Sequence, residues 1–334
     1  MNLPVFDLHC DLLSYLQEAP KASPFKSEDI GCSFPDLQKG NVKLQVMAIY
    51  TSTQKGSAAL GVKQGQLFKD LLLQHPERIT QIRAADDLNT ISTSSKLGVM
   101  AAIENASGFC EEDETLEEGF RKLENIICNT GRLLYIGLTH HGENRFGGGN
   151  NTRMGLKPDG RALLDYMNGK GIAVDLSHTS DALAFDILDH LSAFNLDIPV
   201  IASHSNFRKV FDHPRNLPDE IALEIIKRKG LIGINFLRAF INDKDPHAMY
   251  DHILHGIDLG GTEAICFGAD YFYTASHPDP QRKPFFFSEH GNATCYPSIL
   301  RHLSVHTSPG QVEQIANQNA ENFMRRILAV GEEK

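Results

Sequence analysis

Eight near-continuous apolar runs, each of strand length and separated by stretches of helical period, constrain this chain more than any other feature. They are PVFDLH (4–9), VKLQVMAIYT (42–51), LGVMAAIEN (97–105), LLYIGLTH (133–140), GIAVDLSH (171–178), IPVIASHS (198–205), LIGINF (231–236) and AICFGADY (264–271). Runs of Val, Ile, Leu and Ala that do not alternate with polar residues are what parallel strands covered on both faces require. Between them, DETLEEGFRKLENIICNTG places Leu116, Phe120, Leu123, Ile126 and Ile127 on one helical face and closes at Gly131. Ser180 is the expected cap of the helix that follows it, and Pro218 and Gly230 bracket another. Ser308 and Pro309 open the last helix. Repeated strand–helix units without a linker predict an α/β fold: one (β/α)8 TIM barrel spanning 1–334, with a doubly wound open sheet as the rival. The Gly-rich RFGGGNNTRMG (145–155) reads as a mobile loop and lacks the ending of a phosphate loop.

Side chains able to bind a metal recur at the C-terminal ends of these runs. The first run ends in His9 and Asp11, the third in Glu104, the fourth in His140, the fifth in His178, the sixth in His204 and the eighth in Asp270. Taken singly, each has an ordinary explanation. A histidine closing an apolar run is commonly a hydrogen-bonded core residue, Glu104 could cap a helix, and Asp270 could orient a loop backbone. Recurrence at six strand ends argues otherwise, because a barrel gathers those ends on the face that carries its active site. Asp7, His9 and Asp11 share a spacing of two, which puts them on one side of a strand. Asp7 is expected to orient the His9 imidazole as a hydrogen-bond acceptor. His141 could face solvent, and His190, His213, His247, His252, His255, His277, His290, His302 and His306 read as surface residues.

Imidazoles and carboxylates without thiolate suit Zn²⁺, with Mn²⁺ or Fe²⁺ as alternatives. So many donors exceed the needs of one tetrahedral ion. They suit two ions roughly 3.5–4 Å apart with a bridging carboxylate, an arrangement that performs hydrolysis.

Charge and cysteine usage exclude other classes. A formal net charge of −10, from 32 basic and 42 acidic residues, disfavours nucleic acid as a partner. Six cysteines, none in a C-x-x-C pair, are expected to be reduced and mostly buried. No run of 18 apolar residues, no leader ahead of the first strand and a polar tail, RRILAVGEEK, predict a cytoplasmic protein without membrane contact. Glycosylation sequons at Asn105, Asn150 and Asn292 are then chance matches. A homodimer is the default expectation for oligomeric state.

The ordered set of motifs resembles the membrane (renal) dipeptidase family, the binuclear zinc peptidases of class M19. The most specific block is GIAVDLSHTSD…PVIASHSNFRKVFDHPRNLPDE (171–220), with AAIEN, IGLTH and CFGADY in the expected order. The resemblance implies a zinc-dependent hydrolase acting on small peptides, including those with a C-terminal D-residue, by means of a hydroxide held between two zinc ions. It implies His9 and Asp11 on one zinc, His178 and His204 on the other, and Glu104 bridging them. It further implies that His140 contacts substrate and steadies the oxyanion, that Arg215 pairs with the substrate carboxylate, and that Asp270 handles protons. Bottom-up, Arg215 reads equally as a surface salt bridge. Cys10 stands where the family often has Asn, and its side chain should point away from the metals. Phe272 replaces a second acid and alters the pocket floor, Glu321 precedes Asn322 where Gly is usual, and the loop after His140 is short. Two rivals remain at this point: an amidohydrolase-type barrel acting on another amide or a lactone, and a catalytically silent metal-binding barrel.

Overall fold

In a computed structural model describing residues 2–275 and 277–330, all eight apolar runs contain parallel strands, and a short ninth joins them. The strands are β1 (Val5–Cys10), β2 (Val42–Ile49), β3 (Ile79–Gln81), β4 (Leu97–Ile103), β5 (Leu133–Gly137), β6 (Ala173–Asp175), β7 (Val200–Ala202), β8 (Leu231–Ile234) and β9 (Ile265–Phe267). Their order is β2-β1-β9-β8-β7-β6-β5-β4, and β2 pairs with β4 from Leu44↔Gly98 to Ile49↔Ile103, which closes an eight-stranded barrel. The (β/α)8 reading therefore stands and the open sheet falls. Strand β3 lies outside the ring, paired with the first residues of β4, while β5 takes the later ones. A three-residue ITQ is too short to leave an apolar run in the sequence.

Local chemistry explains the helices. The helix Leu116–Thr130 opens on a capping box: Thr115 accepts from the Glu118 backbone N–H at 3.2 Å, and Glu118 accepts from Thr115 N–H at 3.0 Å. It ends at Gly131, whose φ of 68° favours glycine. Ser180 and Ser308 cap their helices as expected. At the end of Asp219–Lys227 it is Lys229, not Gly230, that takes the left-handed backbone. Gly230 is required for space, since a Cβ there would lie 2.0 Å from the Val200 carbonyl oxygen.

The barrel is filled from below. Phe6, Leu8, Leu44, Val46, Met100, Leu134 and Ile201 form one buried cluster with Phe323, Met324 and Ile327 of the helix Asn319–Leu328. A π-helical turn, Gln314–Gln318, precedes that helix. Asn317 donates to the Pro4 carbonyl and Asn319 to those of Thr262 and Ile265, each at 2.8 Å, locking the plug against the N-terminal ends of the strands. Functional groups are thereby left to the opposite rim.

Several expectations are corrected. The 145–155 loop is packed, not mobile: Phe146 to Asn150 are buried, and the Asn144 amide bridges Asn105 and the Leu138 carbonyl. His190, His252 and His290 are core residues, because burial leaves them hydrogen-bonding backbone or packing on rings; His252 Nδ1 accepts from Phe207 N–H and its Nε2 donates to the Ile241 carbonyl. The cysteines are as expected: all six are free, and Cys128 alone among them is exposed. No helix among the described residues is long and apolar enough to cross a membrane. The last four residues of the polar tail lie outside the described residues.

Candidate metal centre

Each candidate side chain sits at or just past the C-terminal end of a strand. His9 is in β1, Asp11 heads the helix Leu12–Glu18, and Glu104 directly follows β4. His140, His178, His204 and Asp270 follow β5, β6, β7 and β9 by two or three residues. His178 and Asp270 hold left-handed backbones, φ 67° and 63°, which non-glycine residues adopt at a cost. The surrounding bonds enforce this: Asn150 N–H donates to the His178 carbonyl at 2.8 Å, and Asp270 N–H to that of His9 at 3.1 Å.

These residues converge. Glu104 is at the centre, and its two oxygens face different ways. Oε2 lies 3.7 Å from His9 Nε2, whereas Oε1 lies 3.0 Å from His178 Nε2 and 3.6 Å from His204 Nε2. His140 Nε2 is 3.7 Å from Oε1, and Asp270 Oδ1 is 3.6 Å from His9 Nε2. The donor atoms of His9, Asp11 and Asp270 lie within 4.8 Å of one another, as do those of His9, Glu104 and His204. Cys10 stays in the hydrophobic core and away from this cluster.

Without a cation the arrangement is electrostatically unfavourable. Burial holds the imidazoles of His140, His178 and His204 well below their ordinary range and takes His9 down to about 3, so all four are neutral. Burial, followed by repulsion from neighbouring carboxylates, pushes Asp11 and Glu104 well above the carboxylate range. Asp270 rises to about 7, with burial outweighing the pull of Arg215 and of the Asn235 hydrogen bond. His9 Nε2 and Asp11 Oδ1 are buried without a hydrogen-bond partner. His178 Nε2 and His204 Nε2 face each other at 3.0 Å. Orphaned donors of this kind, all nitrogen and oxygen, fit divalent cation binding.

Asp7 differs from its expected role. The pairing of this strand shifts register between Asp7 and Cys10, across the position of His9. Asp7 accepts from the His9 backbone N–H at 2.9 Å, from Tyr296 and from Gln45, and does not touch the imidazole. The group that meets His9 Nδ1 is the Tyr135 hydroxyl, at 2.7 Å. Sequence reasoning missed Tyr135, and also Asn235, whose amide donates to Asp270 Oδ2 at 2.8 Å. A signal existed for Asn235 and for Tyr50, which packs on His140 at 4.7 Å: they close the two runs to which no ligand was assigned. His141 faces the site instead of solvent, its Nδ1 held by Asn150 Oδ1 at 2.9 Å.

Arg215 is buried, not a surface residue. Its guanidinium donates to Ser205 Oγ at 2.7 Å and to the His204 carbonyl at 3.0 Å, while Nε has no partner. Among the described residues no carboxylate comes within ion-pair distance of it. A cavity of about 380 Å³ opens at the cluster, lined by Glu18 and Tyr50 as well as by Leu237, Phe240, Phe272 and Phe285.

A parallel barrel whose rim gathers buried imidazoles and carboxylates beneath such a cavity is of the metal-dependent hydrolase type. The chain belongs to the membrane dipeptidase family, peptidase family M19, whose model matches residues 1–333. A solved dipeptidase, described as a metallopeptidase of family M19, superposes with a TM-score of 0.83 at 19% identity, covering 98% of this chain and 99% of the other. A metallopeptidase from Rhodobacter sphaeroides, liganded with a phosphinate mimic of the dipeptide L-Ala-D-Ala, superposes at 0.80 with 18% identity, covering 98% and 100%. Likeness at these identities shows the fold. By sequence the chain is 29% identical to the dipeptidase verJ of Clonostachys rogersoniana over 68% of its length, and 26% identical to the dipeptidase tcpJ of Claviceps purpurea over 79%. The matched segments span 58% and 59% of those relatives' own lengths.

Proposed function

We propose that this protein is a binuclear zinc dipeptidase, its barrel acting as one catalytic domain over 1–334. The observation that carries the reading is Glu104, whose two oxygens are turned toward two different sets of neutral imidazoles. His9 and Asp11 would hold one ion, His178 and His204 the other, and Glu104 both. When bound, such a pair supplies an ionised water near neutral pH and polarises the scissile carbonyl.

The remaining steps belong to side chains. Arg215, a buried cation with Nε–H uncommitted, takes the C-terminal carboxylate of the substrate in a forked, charge-assisted pair. His140 Nε2 donates to the carbonyl oxygen as charge develops there, a contribution of roughly 3 kcal/mol for one well-placed donor. Asn235 ties down Asp270 Oδ2. Oδ1 is left to take the proton of the attacking water and pass it to the leaving amine nitrogen. The aromatic wall of Phe240, Phe272 and Phe285 excludes bulk water from these transfers.

With the substrate's free amine placed near the acidic cluster and its carboxylate at Arg215, a cavity of about 380 Å³ restricts the substrate to short peptides. Those with a C-terminal D-residue are included, a reading supported by the L-Ala-D-Ala mimic in the Rhodobacter relative. The test is a panel of L-L and L-D dipeptides, a tripeptide, an N-acyl amino acid and a lactone, run beside elemental analysis. About two zinc per chain and turnover confined to dipeptides are expected. Equal turnover of the tripeptide refutes the length restriction, preference for the lactone favours an amidohydrolase, and absence of metal after purification with added zinc favours a silent barrel.

A further inference from the structure

The rim contains a hydrogen-bond chain that the steps above do not use. Asp175, the last residue of β6, is buried. Its Oδ1 accepts the backbone N–H groups of Ser177 at 3.0 Å and Ser203 at 2.8 Å, and its Oδ2 accepts the Ser203 hydroxyl at 2.5 Å. The Ser203 oxygen lies 2.6 Å from His204 Nδ1. A serine hydroxyl has one hydrogen. With that hydrogen given to the carboxylate, the oxygen can only accept, so Nδ1 carries the proton and Nε2 the lone pair.

We propose that Asp175 is a positioning residue: acting through Ser203, its carboxylate holds His204 in the Nδ1–H tautomer, which presents the Nε2 lone pair to the cation site shared with His178 and Glu104. This rests on reading the cluster as a metal centre. The chain has a direction, and an amide reverses it. In Asp175→Asn the oxygen can keep the two backbone N–H groups while the NH₂ turns on Ser203. The hydroxyl must then donate to His204 Nδ1, leaving Nε2 protonated and unable to ligate. His9 provides an internal control. Its Nδ1 meets Tyr135, whose hydroxyl donates to the Leu8 carbonyl at 3.1 Å and also lies against Ser203, so there the same tautomer is fixed by a backbone acceptor and not by the Asp175 carboxylate.

The experiment uses the full chain stripped by chelator, with imidazole ¹⁵N NMR and titration with Zn²⁺ against a chromophoric chelator; the His204 signal is assigned by its loss in His204→Gln. His204 is expected as Nδ1–H in the parent and Nε2–H in Asp175→Asn, with His9 unchanged. One of the two zinc affinities should fall about 10–100-fold, the range for partners behind a metal ligand. Ser203→Ala should lose the same affinity, and it serves if Asp175→Asn does not fold; Ser203→Thr, which keeps the hydroxyl, should restore it. Parental affinity for both ions in Asp175→Asn and Ser203→Ala, or a parental His204 protonated on Nε2, overturns the proposal. A parental His204 in the Nδ1–H form that binds no zinc sinks the metal-centre reading while the tautomer control stands.

Discussion

Arg215→Lys separates carboxylate recognition from every other consequence of altering the site. The guanidinium uses two N–H groups on Ser205 and His204 and leaves Nε–H without a partner, which the proposed reading gives to the substrate. Lysine keeps the charge and loses the fork. A hydrogen bond to a charged group is worth about 1.5–3 kcal/mol. Loss of one of the two in a forked pair should cost about 2 kcal/mol, roughly 30-fold in kcat/KM. Because the substitution also disturbs the His204 carbonyl, the raw rate is not the readout. The readout is the ratio of kcat/KM for a dipeptide to that for its C-terminal amide, in which any general damage cancels. The parent should prefer the free carboxylate strongly, and the variant should lose roughly 30-fold of that preference. An identical ratio in parent and variant would show that Arg215 does not contact the carboxylate, however slow the variant was.

Three further outcomes follow from the geometry. His178→Ala should abolish activity and lower the zinc content by elemental analysis; parental activity refutes its role as a ligand. In chelator-stripped protein, Asp270 raised from 3.8 to about 7 stabilises the fold when protonated, and that contribution is lost as pH rises from about 4 to about 7. Asp270→Asn should therefore gain on the parent over this range by up to about 4 kcal/mol at 1.36 kcal/mol per unit, read from urea unfolding; parallel pH curves would contradict it. Gly149→Ala brings a Cβ within 1.9 Å of the His140 carbonyl oxygen, so His140 must shift; about a 10²-fold loss in kcat at retained zinc content is expected, and unchanged kinetics would mean that the loop yields instead.

The sequence by itself determined the barrel and the strand ends at which the candidate ligands fall. Parallel strands buried on both faces need unbroken apolar runs, so a polar residue inside one is visible as an exception, and six such exceptions at strand ends mark a rim. Caps such as Ser180 and Ser308 were legible because their partners lie three residues away. Tertiary structure alone decided which polar atoms meet. Ser203 and Asp175 are 28 residues apart, and Tyr135 and His9 are 126 apart. No local period relates them; closing the sheet does. The same closure buried His252 and Arg215, folded the glycine loop against His178, and sent Asp7 away from the imidazole it precedes by two positions. Periodicity reports whether a residue is buried, whereas hydrogen-bond direction depends on the single atom that the rest of the chain brings to within 3 Å of it.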